Sequence, residues 1–136
     1  MAEKYVIMSD HHRGDGSVAD SYNKNKLIHK FTLDYYFRNG FTYVENGDSD
    51  ELWKFDLKDI VYAHKDIFEY LNMFYKENRL VYIEGNHNNK KIAQKQFNNE
   101  EIIPNLEIKS KLDLSILNKK IEVRHGHQGE FFEDKF

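Results

Sequence analysis

The stretch Tyr5-Val6-Ile7-Met8-Ser9-Asp10-His11-His12-Arg13-Gly14-Asp15 decides how the rest of the chain is read. Four apolar residues run without alternation, as in a strand buried on both faces, and stop at a polar loop that opens with Asp and His. The pattern recurs downstream. Phe41-Thr42-Tyr43-Val44 is a second β-rich run, stopped by Asn46-Gly47-Asp48, and Leu80-Val81-Tyr82-Ile83 is a third, ended by Gly85-Asn86-His87. Between these runs the apolar residues change to helical spacing. Leu27, Ile28, Phe31 and Tyr35 form a stripe within 23–38, closed by Asn39-Gly40. Ile60, Ala63, His64, Ile67, Tyr70, Leu71 and Phe74 form another within 57–77. A weaker helical pattern covers 89–98. Leu112–Leu117 and Lys120–Arg124 flank Asn118-Lys119 as a β-hairpin, which leads into His125-Gly126-His127. This order predicts an α/β fold, a parallel sheet covered by helices.

With 136 residues, 40% of them hydrophobic, the chain suits one domain spanning 1–136. A net charge of −3 gives no general attraction for nucleic acid, so no DNA-binding role is expected. The absence of cysteine excludes thiolate metal sites and disulfides. No apolar run approaches the roughly 20 residues of a membrane span, and the first residues do not form a signal peptide. The expectation is a soluble cytoplasmic protein.

The residues at the strand ends carry the chemistry. Every strand end except the hairpin turn bears an Asp, Asn or His, and open α/β sheets gather functional groups there. Asp10 and His12 are two apart, so in an extended segment their side chains share a side and can share an ion. Asp48, on a tight Gly turn, is placed to bridge two ions about 3.5–4 Å apart. Asn86 offers a carbonyl oxygen and His125 an imidazole, with His127 in reserve. Such donors suit Mn, Fe, Zn or Ni. Two ions would lower the pKa of a bridging water enough to give hydroxide at neutral pH, and His87 is placed to protonate a leaving oxygen. Arg13 reads equally well as a phosphate contact or as an ordinary surface arginine. His29 and His64 read as packing or surface residues, and His11 should point away from the metals, with a role at the solvent or substrate edge equally open. Asp50, Glu51 and Trp53 read as helix-start and packing residues.

In order, Asp10-His11-His12, Gly47-Asp48-Ser49-Asp50-Glu51, Gly85-Asn86-His87-Asn88 and His125-Gly126-His127 resemble the motif series of the calcineurin-like metallophosphoesterases. The run Gly47–Trp53 looks most like the subgroup that includes UDP-2,3-diacylglucosamine pyrophosphohydrolases. The resemblance implies a β-sandwich flanked by helices (αββα) with two divalent ions, manganese favoured. It also implies hydrolysis of a phosphate ester or pyrophosphate in a small-molecule or nucleotide-type substrate. Carried over residue by residue, Asp10 and His12 resemble ligands of the first metal, Asp48 the bridge, and Asn86 and His125 ligands of the second. His87 resembles the catalytic histidine at the phosphate and leaving group, where Asn86 would also contact substrate.

Two departures stand out. Asn88 occupies a position where the family carries an aspartate expected to hold the catalytic histidine protonated, which predicts a weaker general acid. The family also ends with a Gly-His-x-His motif, and Gly-Glu-Phe-Phe-Glu-Asp-Lys-Phe (residues 129–136) contains no histidine. Either His125-Gly126-His127 is the penultimate motif and the chain is shortened at its C-terminus, or it serves as the terminal one. The first account is favoured because the triplet directly follows a strand and continues Gln-Gly-acidic. A shortened chain would expose sheet edges and apolar surface and so favour self-association into a homo-oligomer. The rival function is a non-catalytic remnant of the fold that binds a metal, phosphate or a partner protein. A plain α/β binding domain would require the four motifs to be coincidence.

Overall fold

The computed structural model describes residues 3–126. A four-stranded sheet is built from β1 (Tyr5–Met8), β2 (Thr42–Asn46), β3 (Leu80–Ile83) and β4 (Ile108–Lys109), hydrogen-bonded in that order. All its pairings are parallel, with Val6 opposite Tyr43 and Val44 opposite Val81. The crossovers are α1 (Lys26–Arg38), α2 (Leu57–Ala63) followed by α3 (Lys65–Lys76), and α4 (Lys90–Glu100). Beyond them, β5 (Leu112–Ile116) and β6 (Lys119–Val123) form a separate antiparallel hairpin. The fold is thus mixed α/β with a parallel sheet and four helices, as the alternation of patterns predicts. Parallel strands buried under helices need no alternating polarity, which is why continuous apolar runs mark them. Among the described residues, no helix is long and apolar enough to cross a membrane.

The core lies between the sheet and the helices. Tyr43, Tyr82 and Ile108 of the sheet meet Leu33, Ile60, Ile67, Phe68, Leu71, Phe74 and Phe97 of the helices. Burying each such side chain contributes about 1.5–3 kcal/mol. At the end of β2 the chain keeps pairing: Asp10 N donates to Gly47 O at 3.0 Å, His12 N to Asp48 O at 2.8 Å and Arg13 N to Ser49 O at 2.9 Å. The loops after β1 and β2 are therefore zipped together beyond the sheet.

Two expectations change, and one strand goes unread. The stripe Leu27, Ile28, Phe31, Tyr35 faces solvent, and α1 buries His29 and Leu33 instead. Both sets have helical spacing, so periodicity leaves the choice open. The polar partners of His29 decide it, because its ring is held by Tyr22 and Tyr43. The helix expected over 57–77 breaks at His64, whose backbone leaves the helical region (φ −122°, ψ 39°) and whose Nε2 lies 2.6 Å from buried Asp20. Finally, β4 is too short to leave a sequence pattern.

Candidate metal centre

Asp10, His12 and Asp48 all have positive φ (61°, 48° and 51°). The extended geometry expected for Asp10 and His12 is therefore wrong; left-handed backbone, not strand alternation, aims these side chains. Non-glycine residues rarely adopt this conformation, and each costs of order 1–3 kcal/mol, met here by the zipped loop hydrogen bonds. Gly47 (φ 83°) completes the turn, and a Cβ there would overlap the ring of His125. At Gly85 a Cβ would overlap the backbone nitrogen and carboxylate of Asp48. Gly47 is thus required by conformation and close approach together, and Gly85 by close approach.

The result is a convergence of four side chains from three separate loops. His12 Nε2 lies 3.6 Å from Asp10 Oδ1 and 3.7 Å from Asp48 Oδ2. His125 Nε2 lies 3.4 Å from the same Asp10 oxygen and 3.5 Å from the same Asp48 oxygen. Ligands at about 2.0–2.2 Å around a tetrahedral ion stand roughly 3.4 Å apart, and each imidazole stands at about that distance from both carboxylate oxygens, with Asp10, Asp48 and His125 grouped closely enough to share a divalent cation. The resemblance puts His125 with Asn86 on a second ion; here His125 groups with Asp10 and Asp48, and His12 groups with Asp48 and His87, so that Asp48 is common to both. His125 is brought there by the hairpin, whose last residues are tied to β2 by Asn46 Nδ2 donating to Arg124 O at 3.0 Å. His127 lies outside the described residues.

Burial opposes ionisation of Asp10, but hydrogen bonds from Ser9 and then His125 outweigh it and hold the carboxyl below its ordinary range. The Asn86 side-chain nitrogen donates to both oxygens of the Asp48 carboxylate, at 3.0 and 2.9 Å.

Glu51, read from the sequence as a helix-start residue, is a site residue. Its carboxylate accepts from His87 Nδ1 at 2.7 and 2.8 Å and from His12 Nδ1 at 3.1 Å. A carboxylate only accepts, so both imidazoles carry their proton on Nδ1 toward Glu51 and leave Nε2 free. For His12 that free nitrogen is the one facing Asp10 and Asp48. Burial opposes ionisation of Glu51, yet the hydrogen bond from His87, reinforced by His12, holds its pKa low. Trp53 also belongs to the site: its indole stacks on His87 with centroids 3.5 Å apart and planes at 25°. The three-residue spacing from Asp48 to Glu51, just after a strand end, was the available signal.

Asn88 does not play the part that the resemblance implies. It is fully buried, with Oδ1 accepting from Asp48 N at 2.9 Å and Gly85 N at 2.8 Å. Its Nδ2 donates to Ser49 Oγ at 2.9 Å. Asn88 thus fastens the loop after β3 to the loop after β2, and the charge beside His87 comes from Glu51.

Arg13 is a further correction. It is completely buried, with Nε donating to Asp50 at 3.0 Å and Nη2 to Glu45 at 2.7 Å and to Tyr82 Oη at 2.9 Å. Committed to two buried carboxylates, it cannot reach a phosphate. Beneath the centre, His11, His29 and Glu45 form another group with metal-like composition. The Tyr43 hydroxyl fills it, donating to Glu45 while lying 2.8 Å from His29 Nε2 and 3.3 Å from His11 Nε2. His29 then donates from Nε2 to Tyr43 and accepts the Tyr22 hydroxyl at Nδ1, 2.6 Å away, which is a neutral imidazole. Burial, followed by the neighbouring His11, accordingly pushes its pKa down to about 3. This group is a proton-satisfied support for the site. His11 points inward onto Tyr43 and His29, away from the Asp10–Asp48–His125 group. His29 and His64 are packing residues.

No family model matches this chain, and no curated protein matches it either.

Proposed function

We propose that the chain is a calcineurin-like metallophosphoesterase that hydrolyses a phosphate ester or pyrophosphate. The observation that carries this reading is the convergence of the His12 and His125 Nε2 atoms, each 3.4–3.7 Å from Asp10 Oδ1 and Asp48 Oδ2, beside a histidine locked by Glu51. These four residues would hold one divalent cation, with manganese the favoured metal. Asp48 and Asn86 would hold a second, more weakly, because fewer side chains face it. Bound divalent ions supply Lewis acidity toward a phosphoryl oxygen and lower the pKa of the attacking water.

The chain's own residues do the rest. Glu51 fixes the ring orientation of His12 and His87 at once, so ligand and acid keep a constant relation. His87, its ring fixed by Glu51 at Nδ1, turns Nε2 toward the leaving oxygen as the candidate proton donor. Trp53 covers one face of that ring and keeps water from it. Asn88 keeps the Asp48 and His87 loops in register.

The test is metal content by elemental analysis, paired with hydrolysis of bis(p-nitrophenyl) phosphate in Mn²⁺. One tightly held ion, a weaker second, and activity abolished by Asp48→Asn are expected. No bound metal and no turnover at millimolar Mn²⁺ would overturn the reading.

A further inference from the structure

Trp53 is the chain's only tryptophan, and it is 62% exposed. It has no place in the core cluster, yet it is not loosely held. One face of the indole stacks on His87, and the adjoining Leu52 N donates to the His87 carbonyl at 3.2 Å. The exposed area therefore belongs to the opposite face and the ring edges. A broad apolar surface presented to water beside a candidate acid is a ready contact for another flat ring.

We propose that the outer face of Trp53 is a stacking platform for the substrate's leaving group, and that the preferred substrates are phosphoesters whose leaving group carries a planar aromatic ring, such as a nucleobase or an aryl group. This rests on His87 being the proton donor of the proposed reaction. The leaving oxygen must come within about 2.6–3.2 Å of the acid, and whatever is attached to that oxygen then lies beside the ring stacked on His87. Stacking of one planar ring on an indole is sequence-tolerant, because every aromatic group offers a π-face. The platform thus selects flatness rather than one particular base.

The lone tryptophan makes the idea directly measurable. Its fluorescence is titrated with adenosine 5′-monophosphate and, separately, with ribose 5-phosphate, both in Mn²⁺. Saturable quenching by the first and none by the second is expected. In parallel, Trp53→Ala should raise KM for bis(p-nitrophenyl) phosphate about tenfold while kcat changes far less, and Trp53→Phe should restore most of the loss. Equal quenching by both ligands, or by neither, overturns the platform even if hydrolysis is normal. A fall in kcat at unchanged KM also overturns it, since Trp53 would then only position His87. Selective quenching by the nucleotide without turnover of any phosphoester would keep the platform and reject the reaction.

Discussion

The Glu51 carboxylate lies 2.7 Å from Nδ1 of His87 and 3.1 Å from Nδ1 of His12, joining the candidate acid to a candidate metal ligand through one side chain. Glu51→Gln keeps the size and one acceptor oxygen, but removes the negative charge and the second acceptor oxygen that faces His87. Metal affinity should fall about 10–100-fold, as is usual when the group orienting a ligand is lost. The rate should fall further on alkyl than on nitrophenyl esters, because only poor leaving groups need the proton. Calorimetric titration with Mn²⁺ and a leaving-group series check both. Unchanged values in both would reject the shared role.

Asn88→Asp should leave the rate on alkyl phosphates nearly unchanged, since the side chain holds loops and does not touch His87. Asn88→Ala removes partners from two buried N–H groups and the Ser49 hydroxyl. It should cost about 2–4 kcal/mol in urea unfolding. A marked rate gain from Asn88→Asp on poor leaving groups would return the acid-tuning role to position 88.

Gly47→Ala should weaken metal binding by displacing His125, whose ring occupies the space of the new methyl group. The left-handed backbone adds about 1 kcal/mol of strain to the folded state. Binding that weakens far more than stability falls is the expected signature. Wild-type affinity for Mn²⁺ would show that His125 is not a ligand.

Arg13→Met should destabilise the protein by about 3–5 kcal/mol, because Glu45 and Asp50 lose their buried counter-charge. Arg13→Lys should also destabilise, since one ammonium cannot reproduce the fork that spans two carboxylates. If Arg13→Lys left the denaturation midpoint unchanged and raised only KM, the guanidinium would after all serve the substrate.

His29 gives a pH dependence whose sign follows from its environment. Its folded pKa is pushed down to about 3 from 6.5, so between those values the unfolded chain binds the extra proton. Stability therefore falls as pH drops below 6.5, by up to about 1.4 kcal/mol per pH unit from this group. Glu45, whose folded pKa is depressed chiefly by Arg13 against the cost of burial, loses its contribution only below 4.5. His29→Gln should flatten the upper part of the acid limb in urea midpoints measured between about pH 4 and pH 7. An unaltered slope would mean that the ring is protonated in the folded protein.

Local pattern determined the alternation of strands and helices, the ends of β1 and β3, the ends of β2 to within two residues, and the identity of the residues that follow them. Continuous apolar runs and punctuating Gly, Asn and Asp are properties of adjacent residues, so they can be read in one dimension. Asp10, His12, Asp48 and His125 meet as their positions after the strands suggested. Other decisions needed the tertiary structure. Leu27 and Phe31 compete with His29 and Leu33 for the buried face of α1, and only Tyr22 and Tyr43, distant in sequence or on another element, resolve it. Arg13 and Glu51 are both charged residues near a motif, indistinguishable by type. One is drawn into the interior by carboxylates 32 and 37 positions away, and the other is turned outward to two histidines. Charge pairing of this kind depends on which loops the sheet brings side by side, and that juxtaposition exists only once the chain has folded.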